Sequence, residues 1–412
     1  MNGGKPARRL HSGSALGVAL VLAGLALAVV LSNSAGTIGG RGSDGQPGAL
    51  PVGAGQSAPA GASEQALPSL SGAADADRIL IEGGWQPRSW SPDGAWLLLE
   101  AQVADDPGTR SQRATALLQD TGRLEELANE HVAWWPGALR TLSFVEPMAR
   151  PAKGEHLVLH DRLTGAERSV LERARIDAVH WSPDGRSLAV IDEHGLASGR
   201  VGEELRRVTF GRPRDVAFAA DGTRLAYVDT ASGALFTVDL MRQESRRLGS
   251  AVLGPDDAIA YAPSGAWLAF TGRMDGREGL FLTAADLSAP PSMVSRGVDP
   301  ASVRWSPDGS RLAASRLPPA GTTTELIVVR RDGDHLDVQP LGPGRVTAWH
   351  PAGDRLLSID PRGRLVAYPS GPGDVQIIAG DSSDVCTPQW SAPQRRIAHC
   401  LADGRLEIIP AE

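Results

Sequence analysis

Eight times between Trp90 and Trp390 an aromatic residue is followed by a Pro/Asp/Gly-type turn and, seven positions on, by an aliphatic residue. The fullest copies read Trp90-Ser91-Pro92-Asp93-Gly94, Trp181-Ser182-Pro183-Asp184-Gly185 and Trp305-Ser306-Pro307-Asp308-Gly309. Weaker copies begin at Trp135, Phe218, Tyr261, Trp349 and Trp390, so that successive anchors lie 45, 46, 37, 43, 44, 44 and 41 residues apart by subtraction. The aliphatic partners are Leu97, Leu142, Leu188, Leu225, Leu268, Leu312, Leu356 and Ile397. Self-similarity at this period, built on short strands, predicts an all-β chain that repeats one small sheet around an axis: a β-propeller.

The turn letters have a mechanism. Ser or Asp bonds back to the turn backbone, Pro presets φ at the second turn position, and Gly supplies the left-handed residue of a hairpin turn with a bulge. Alternating runs flank the turn, such as 177–181 before it and 187–191 after it, and read as the two inner strands of a blade. A third run (280–283, 326–329) and a fourth (207–210) follow, giving four strands per repeat. The segment Ile79-Leu80-Ile81-Glu82 stands at a fourth strand's distance before Trp90, while the chain stops at Glu412 just after a third strand. Residues 79–82 are therefore expected to complete the last blade and leave no open sheet edge. The count is eight blades. Seven is the alternative, because the second and eighth repeats lack the Pro-Asp-Gly core.

The motif aromatic-Ser-Pro-Asp-Gly-x-x-Leu-Ala, followed by a strand ending in an acidic residue, resembles the propeller repeat of TolB and its WD-like relatives. The resemblance covers residues 79–409. It implies a propeller of a bacterial envelope protein, or the propeller half of a prolyl-type peptidase, and carries over no functional residue, because the matched positions are structural turns.

Lys5, Arg8 and Arg9 precede an uncharged stretch from Ala15 to Leu31. That length reaches the lower limit for crossing a bilayer, and the basic flank places residues 1–14 in the cytoplasm. Residues 15–31 are expected to be an uncleaved single-pass signal-anchor helix; the alternative is cleavage near Ser32-Asn33-Ser34-Ala35 and a secreted or periplasmic product. Residues 32–77, rich in Gly, Ala, Ser and Pro, are too poor in large apolar groups to recover their ordering entropy and predict a disordered linker. Residues 78–412 then form a single propeller on the extracytoplasmic side, expected to be monomeric because its sheet edges are closed. With a net charge of −7 and no basic patch, nucleic acid is not an expected partner.

Cys386 and Cys400 straddle the hairpin turn of the last repeat and would face each other across its first two strands, within reach of a disulfide. A one-residue shift in that degenerate turn would leave two buried thiols instead. No Gly-x-Ser-x-Gly elbow, zinc helix, phosphate loop or dinucleotide fingerprint is present, so no catalytic residue, metal or cofactor is expected.

If a site exists, the inner strands locate it. Near the start of each lie ionisable residues of both signs: Arg88, His131, Asp177, Arg214, Asp215, Asp257, Arg304 and Arg345. Gathered at one channel mouth they could clamp a peptide or polar ligand, or form a rim of salt bridges. Replacing Asp177 and Asp257 by Asn is expected to leave folding intact. The function these readings favour is a membrane-tethered scaffold binding an envelope protein or peptide. The alternative is a channel-centred enzyme, a metal-assisted hydrolase or lyase.

Overall fold

The computed structural model describes residues 78–411, apart from 104–111, 120–121, 150–151, 319–320, 333–334, 384–385 and 394. The expected cytoplasmic tail, membrane span and linker lie outside the described residues. From residue 86 onward each repeat forms an antiparallel sheet in chain order, the first from strands Gln86–Trp90, Trp96–Val103, Gln112–Gln119 and Leu124–Leu127. The next six span 130–173, 176–209, 213–252, 259–295, 304–343 and 345–379. The sheets of 213–252 and 259–295 touch edge to edge through one pair, Val252 with Arg273. The last repeat supplies only Gln389–Ser391, Arg396–Cys400 and Leu406–Pro410, and Ile79–Ile81 joins them as the fourth strand, with Ile79 opposite Ile408.

The hairpins between the two inner strands show why Ser, Asp and Gly recur. Ser306 donates to Asp308 Oδ1 (2.5 Å) while its Oγ accepts the Arg311 N–H (2.9 Å), and Gly309 closes the turn onto Ser306 O (2.8 Å). Although burial works against it, hydrogen bonds from Ser306 and Ser310 hold the Asp308 carboxyl at about 2. Gly309 has φ 67°, and a Cβ there would run into the Ser264 backbone of the preceding hairpin. Glycine is thus required twice over, for the left-handed backbone and for the approach of neighbouring turns.

Consecutive sheets bury apolar faces against one another. Leu98 and Leu117 pack on Trp134, Leu142 and Val158 of the next sheet; Ala313, Leu326 and Val328 pack on Val346, Trp349 and Leu356. Comparable cores fill the other gaps, and the last lies between Ala398, Leu406 and Ile408 and the first sheet's Leu97, Leu99 and Ala116. Sheets packed face to face in chain order make this a β-propeller. Each anchor packs toward the preceding sheet, and in four of them the indole N–H donates directly to that sheet's innermost strand. Trp134 donates to Ser89 O (3.2 Å), Trp305 to Ala260 O (3.1 Å), Trp349 to Arg304 O (3.0 Å) and Trp90 to Gln389 O (3.3 Å). In every case the acceptor is the residue just before the previous anchor. Trp181 reaches the equivalent carbonyl, that of Ala133, through Ser143 Oγ (2.9 and 3.2 Å).

This pattern corrects one sequence reading. The second anchor is Trp134, which pairs with Leu142 across the hairpin, and Trp135 belongs to a turn one residue longer than its counterparts, closed by Trp135 N to Thr141 O (2.8 Å) rather than Ser91 N to Trp96 O (2.7 Å). The seven-residue spacing from Trp135 came from that extra turn residue.

Where the chain's two ends meet, a polar network with buried His399, Glu407 and Ser382 at its centre links adjacent segments of chain. Arg78 pairs with Glu407, His399 Nε2 lies 3.0 Å from Glu407 Oε2, and His399 Nδ1 lies 3.2 Å from Ser382 Oγ. The approach of His399 to Glu407 is off the N–H axis and acts as an electrostatic contact, since Nε2 has no aligned acceptor. Contact with His399, reinforced by Arg78, holds the Glu407 carboxyl below its usual range. Beside it Cys386 and Cys400 form a disulfide with Cα atoms 5.9 Å apart.

The packing between sheets assigns unequal weight to two adjacent tryptophans. Trp134→Ala is expected to cost about 3–5 kcal/mol, and Trp135→Ala markedly less; equal losses in chemical denaturation would contradict the pairing of Trp134 with Leu142.

Candidate functional site

The innermost strands do not run straight into their partners. Near its start each of five slips register: Arg88 is extra between Pro87 and Ser89, Asp177 between Ile176 and Ala178, and Thr347 between Val346 and Ala348. In the second and fourth sheets the slip spans 130–133 and 214–217, enclosing His131 and Asp215. A bulge frees a residue from the ladder and re-aims its side chain. His131 (φ 52°) and Asp215 (φ 51°) also take left-handed backbone, which non-glycine residues adopt rarely. Four sequence-predicted residues, Arg88, His131, Asp177 and Asp215, therefore sit on irregularities at the same end of the inner strands.

The structure brings these residues together in small groups. Arg88 pairs with Glu100 on the neighbouring strand of its sheet, and Asp177 with Arg175 (2.6 Å) in the link just before its own strand. Arg345 Nη2 donates to Asp299 Oδ2 (3.1 Å), and the same carboxylate acts on Arg304 from the preceding stretch of chain. Burial lowers the Arg304 pKa, Asp299 offsetting part of the effect; its guanidinium donates to Val303 O (2.9 Å). Burial raises the Asp215 carboxyl, which Arg214 partly counters and Asp257 reinforces. His180 remains partly exposed, yet burial, with repulsion from His131, takes its pKa to about 4, so it is neutral at pH 7.

Arg214 and Asp257 serve the framework. Arg214 pairs with Asp215 and donates to the carbonyls of Leu253 (2.9 Å), Gly254 and Pro255 (3.3 Å). Asp257 accepts from Gly254 N (2.6 Å) and Thr271 Oγ1 (2.7 Å), and Thr271 accepts from Ala258 N (2.9 Å). Together they fix the link between the fourth and fifth sheets, so the expectation that Asp257 is dispensable for folding is revised.

One participant, Asp299, escaped the sequence reading. Asp299 shares its carboxylate between Arg345 and the start of a 3-10 turn, where it accepts from Ala301 N (3.1 Å). His180 and Arg304 have a signal in the repeat itself: the position before the anchor is Ser89, Ala133, Ala217, Ala260 or Ala348 in five sheets, against His180, Arg304 and Gln389 in the others. Small residues suit an acceptor carbonyl crowded by the next indole, so three large polar ones there stand out. Among the described residues no three His, Cys, Asp or Glu side chains are grouped to hold a metal ion. The arrangement offers charged pairs and one neutral histidine, suited to hydrogen bonding and charge complementarity.

No family model matches the sequence, and no curated protein matches it. Among solved structures it is similar to oligogalacturonate lyase from Vibrio parahaemolyticus, at 13% identity and a TM-score of 0.46 over 81% of this chain and 90% of that one. It is also similar to the β-propeller domain of Cps50 (Swd1) from Myceliophteria thermophila (16%, TM-score 0.44, 69% and 97% covered). TolB from Acinetobacter baumannii overlaps at 15% identity and a TM-score of 0.35, over 77% and 80%. These likenesses concern architecture, and the propeller fold stands on the strand pairing and inter-sheet cores rather than on them.

Two pairs of measurements separate framework from site. Asp257→Ala is expected to cost about 1–3 kcal/mol, since the partly buried Gly254 N–H and the buried Thr271 hydroxyl lose their acceptor, whereas Asp177→Ala, which breaks a pair with largely exposed Arg175, changes stability by under about 0.5 kcal/mol; the reverse order would contradict the framework role of Asp257. His180 takes a proton in the unfolded chain near 6.5 and in the folded one near 4, so its contribution is complete above pH 6.5 and is lost as pH falls toward 4. His180→Gln should flatten the fall in melting temperature between about pH 6.5 and 5, and a variant that declines in step with the parent would remove His180 from this role.

Proposed function

We propose that the chain is a membrane-tethered binding module that holds a peptide or a segment of another envelope protein at the mouth of an eight-bladed propeller. One observation carries the reading: bulges in the inner strands turn Arg88, His131, Asp177 and Asp215 out of their ladders at the end where Arg304, Asp299 and Arg345 also lie. A surface of both signs, built on rigid strands and already hydrogen-bonded, recognises polar extended chain without large rearrangement.

The count of eight rests on cores that join every consecutive pair of sheets and then the last to the first. Location outside the cytoplasm rests on the apolar run from Ala15 to Leu31 behind Lys5, Arg8 and Arg9, and on the Cys386–Cys400 disulfide, a bond that persists in oxidising compartments. The tether is assigned to residues 15–31 on that apolar run; among the described residues no helix is long and apolar enough to cross a membrane.

The test captures the full chain, tagged at its carboxyl end, from detergent-solubilised membranes of its own host after crosslinking. Substituting Arg304→Ala and Arg345→Ala together should remove specific crosslinked partners while leaving the melting temperature within a few degrees. Retention of the same partners by the folded double variant would place the binding surface elsewhere.

A further inference from the structure

At the hairpin-turn end of the sheets, away from the bulges, a cavity of about 360 Å³ lies between the sheets of 304–343 and 345–379. Its walls carry three guanidinium groups, from Arg311, Arg330 and Arg355, over a floor formed by buried Ser370. Gly371, Pro372 and Gly373 form an exposed rim.

The arginines are placed as a folded chain places them for an anion rather than for itself. Arg311 and Arg330 are directly opposed across adjacent strands, an arrangement in which like charges repel. Both nevertheless converge on one residue: Arg311 Nη1 donates to Ser370 Oγ and, at 3.2 Å, to Gly353 O, while Arg330 Nη2 donates to Ser370 O. Neutral oxygens thus take the place a carboxylate would fill. The Arg330 Nε–H is buried with no acceptor among the described residues, a costly state unless a ligand supplies one. Arg355 lines the same space, and its guanidinium has no side-chain partner among the described residues. Two carboxylates border the cavity, Asp354, held by His350 Nδ1 at 2.6 Å, and Asp374 on the exposed loop, so three positive groups face two negative ones.

We propose that this cavity binds a phosphate group carried by a small organic ester. Fork-shaped guanidinium donors match tetrahedral oxyanions in geometry and charge, and the space exceeds what the anion alone would occupy. The site is independent of the channel mouth and of the partner proposed there. The phosphate can belong to a soluble monoester or to a lipid headgroup, and the experiment distinguishes them.

Inorganic phosphate is titrated into the full chain in detergent by calorimetry, with chloride at matched ionic strength as control, and the melting temperature is followed in parallel. Saturable phosphate binding with a rise in melting temperature is expected, and Arg355→Ala, which breaks no internal ion pair, should weaken it about ten-fold or more. Arg330→Gln should do the same. Glycerol phosphate competing more strongly than phosphatidylglycerol vesicles assigns a soluble ester; the reverse order assigns a headgroup. Absence of saturable binding, or full binding by Arg355→Ala, overturns the proposal, and Arg304→Ala, which touches only the channel, should bind phosphate as the parent does.

Discussion

The contact on which the other features of this molecule depend is the anchor tryptophan's reach into the sheet before it. Its ring fills the space between two sheets, and its N–H satisfies a carbonyl on the inner strand of the neighbour. Apolar burial alone sets no register between sheets, because it is non-directional. A hydrogen bond adds direction: where the indole of Trp90, Trp134, Trp305 or Trp349 is locked to the residue before the previous anchor, the sheet is held against sliding along its neighbour. Hairpin glycines such as Gly309 then allow the turns to close up at the far end. The bulged ends and the turn ends are therefore held at fixed separation, and two kinds of surface become available on one scaffold.

Much of this architecture is legible in the sequence because its parts are local. The aromatic residue and its aliphatic partner at plus seven turn out to be cross-strand pairs, Trp90 with Leu97 and Trp181 with Leu188. The fourth strand of the last sheet is readable from the distance of 79–82 to the first anchor. The second anchor is displaced by one from its expected position, since Trp134 and Trp135 stand side by side and tertiary contacts, the pairing with Leu142 and the hydrogen bond to Ser89, distinguish them.

The candidate sites are legible by position and not by partnership. Counting back from the anchors finds the bulges, whose residues lie two to four positions before the anchor. It does not find that Asp257 answers to Gly254 and Thr271, one in a link and one in the next strand. Nor does any motif reveal that Arg311 faces Arg330, because the segment between second and third strands varies in length from repeat to repeat and sets that register anew each time. Partnerships of this kind arise from tertiary geometry, and single-sequence patterns do not encode them.

The join between the chain's two ends has a mechanical consequence. Any pull transmitted along the polypeptide toward its amino end enters at Arg78 and acts first on the ion pair with Glu407, ahead of the ladder from Ile79 to Ile81. Since Glu407 is itself braced by His399 on the neighbouring strand, the load spreads sideways into a second strand that the disulfide also secures through Cys400, instead of peeling one short ribbon from an edge. A tether attached there would tug on a corner braced by an ion pair, a histidine contact and a disulfide.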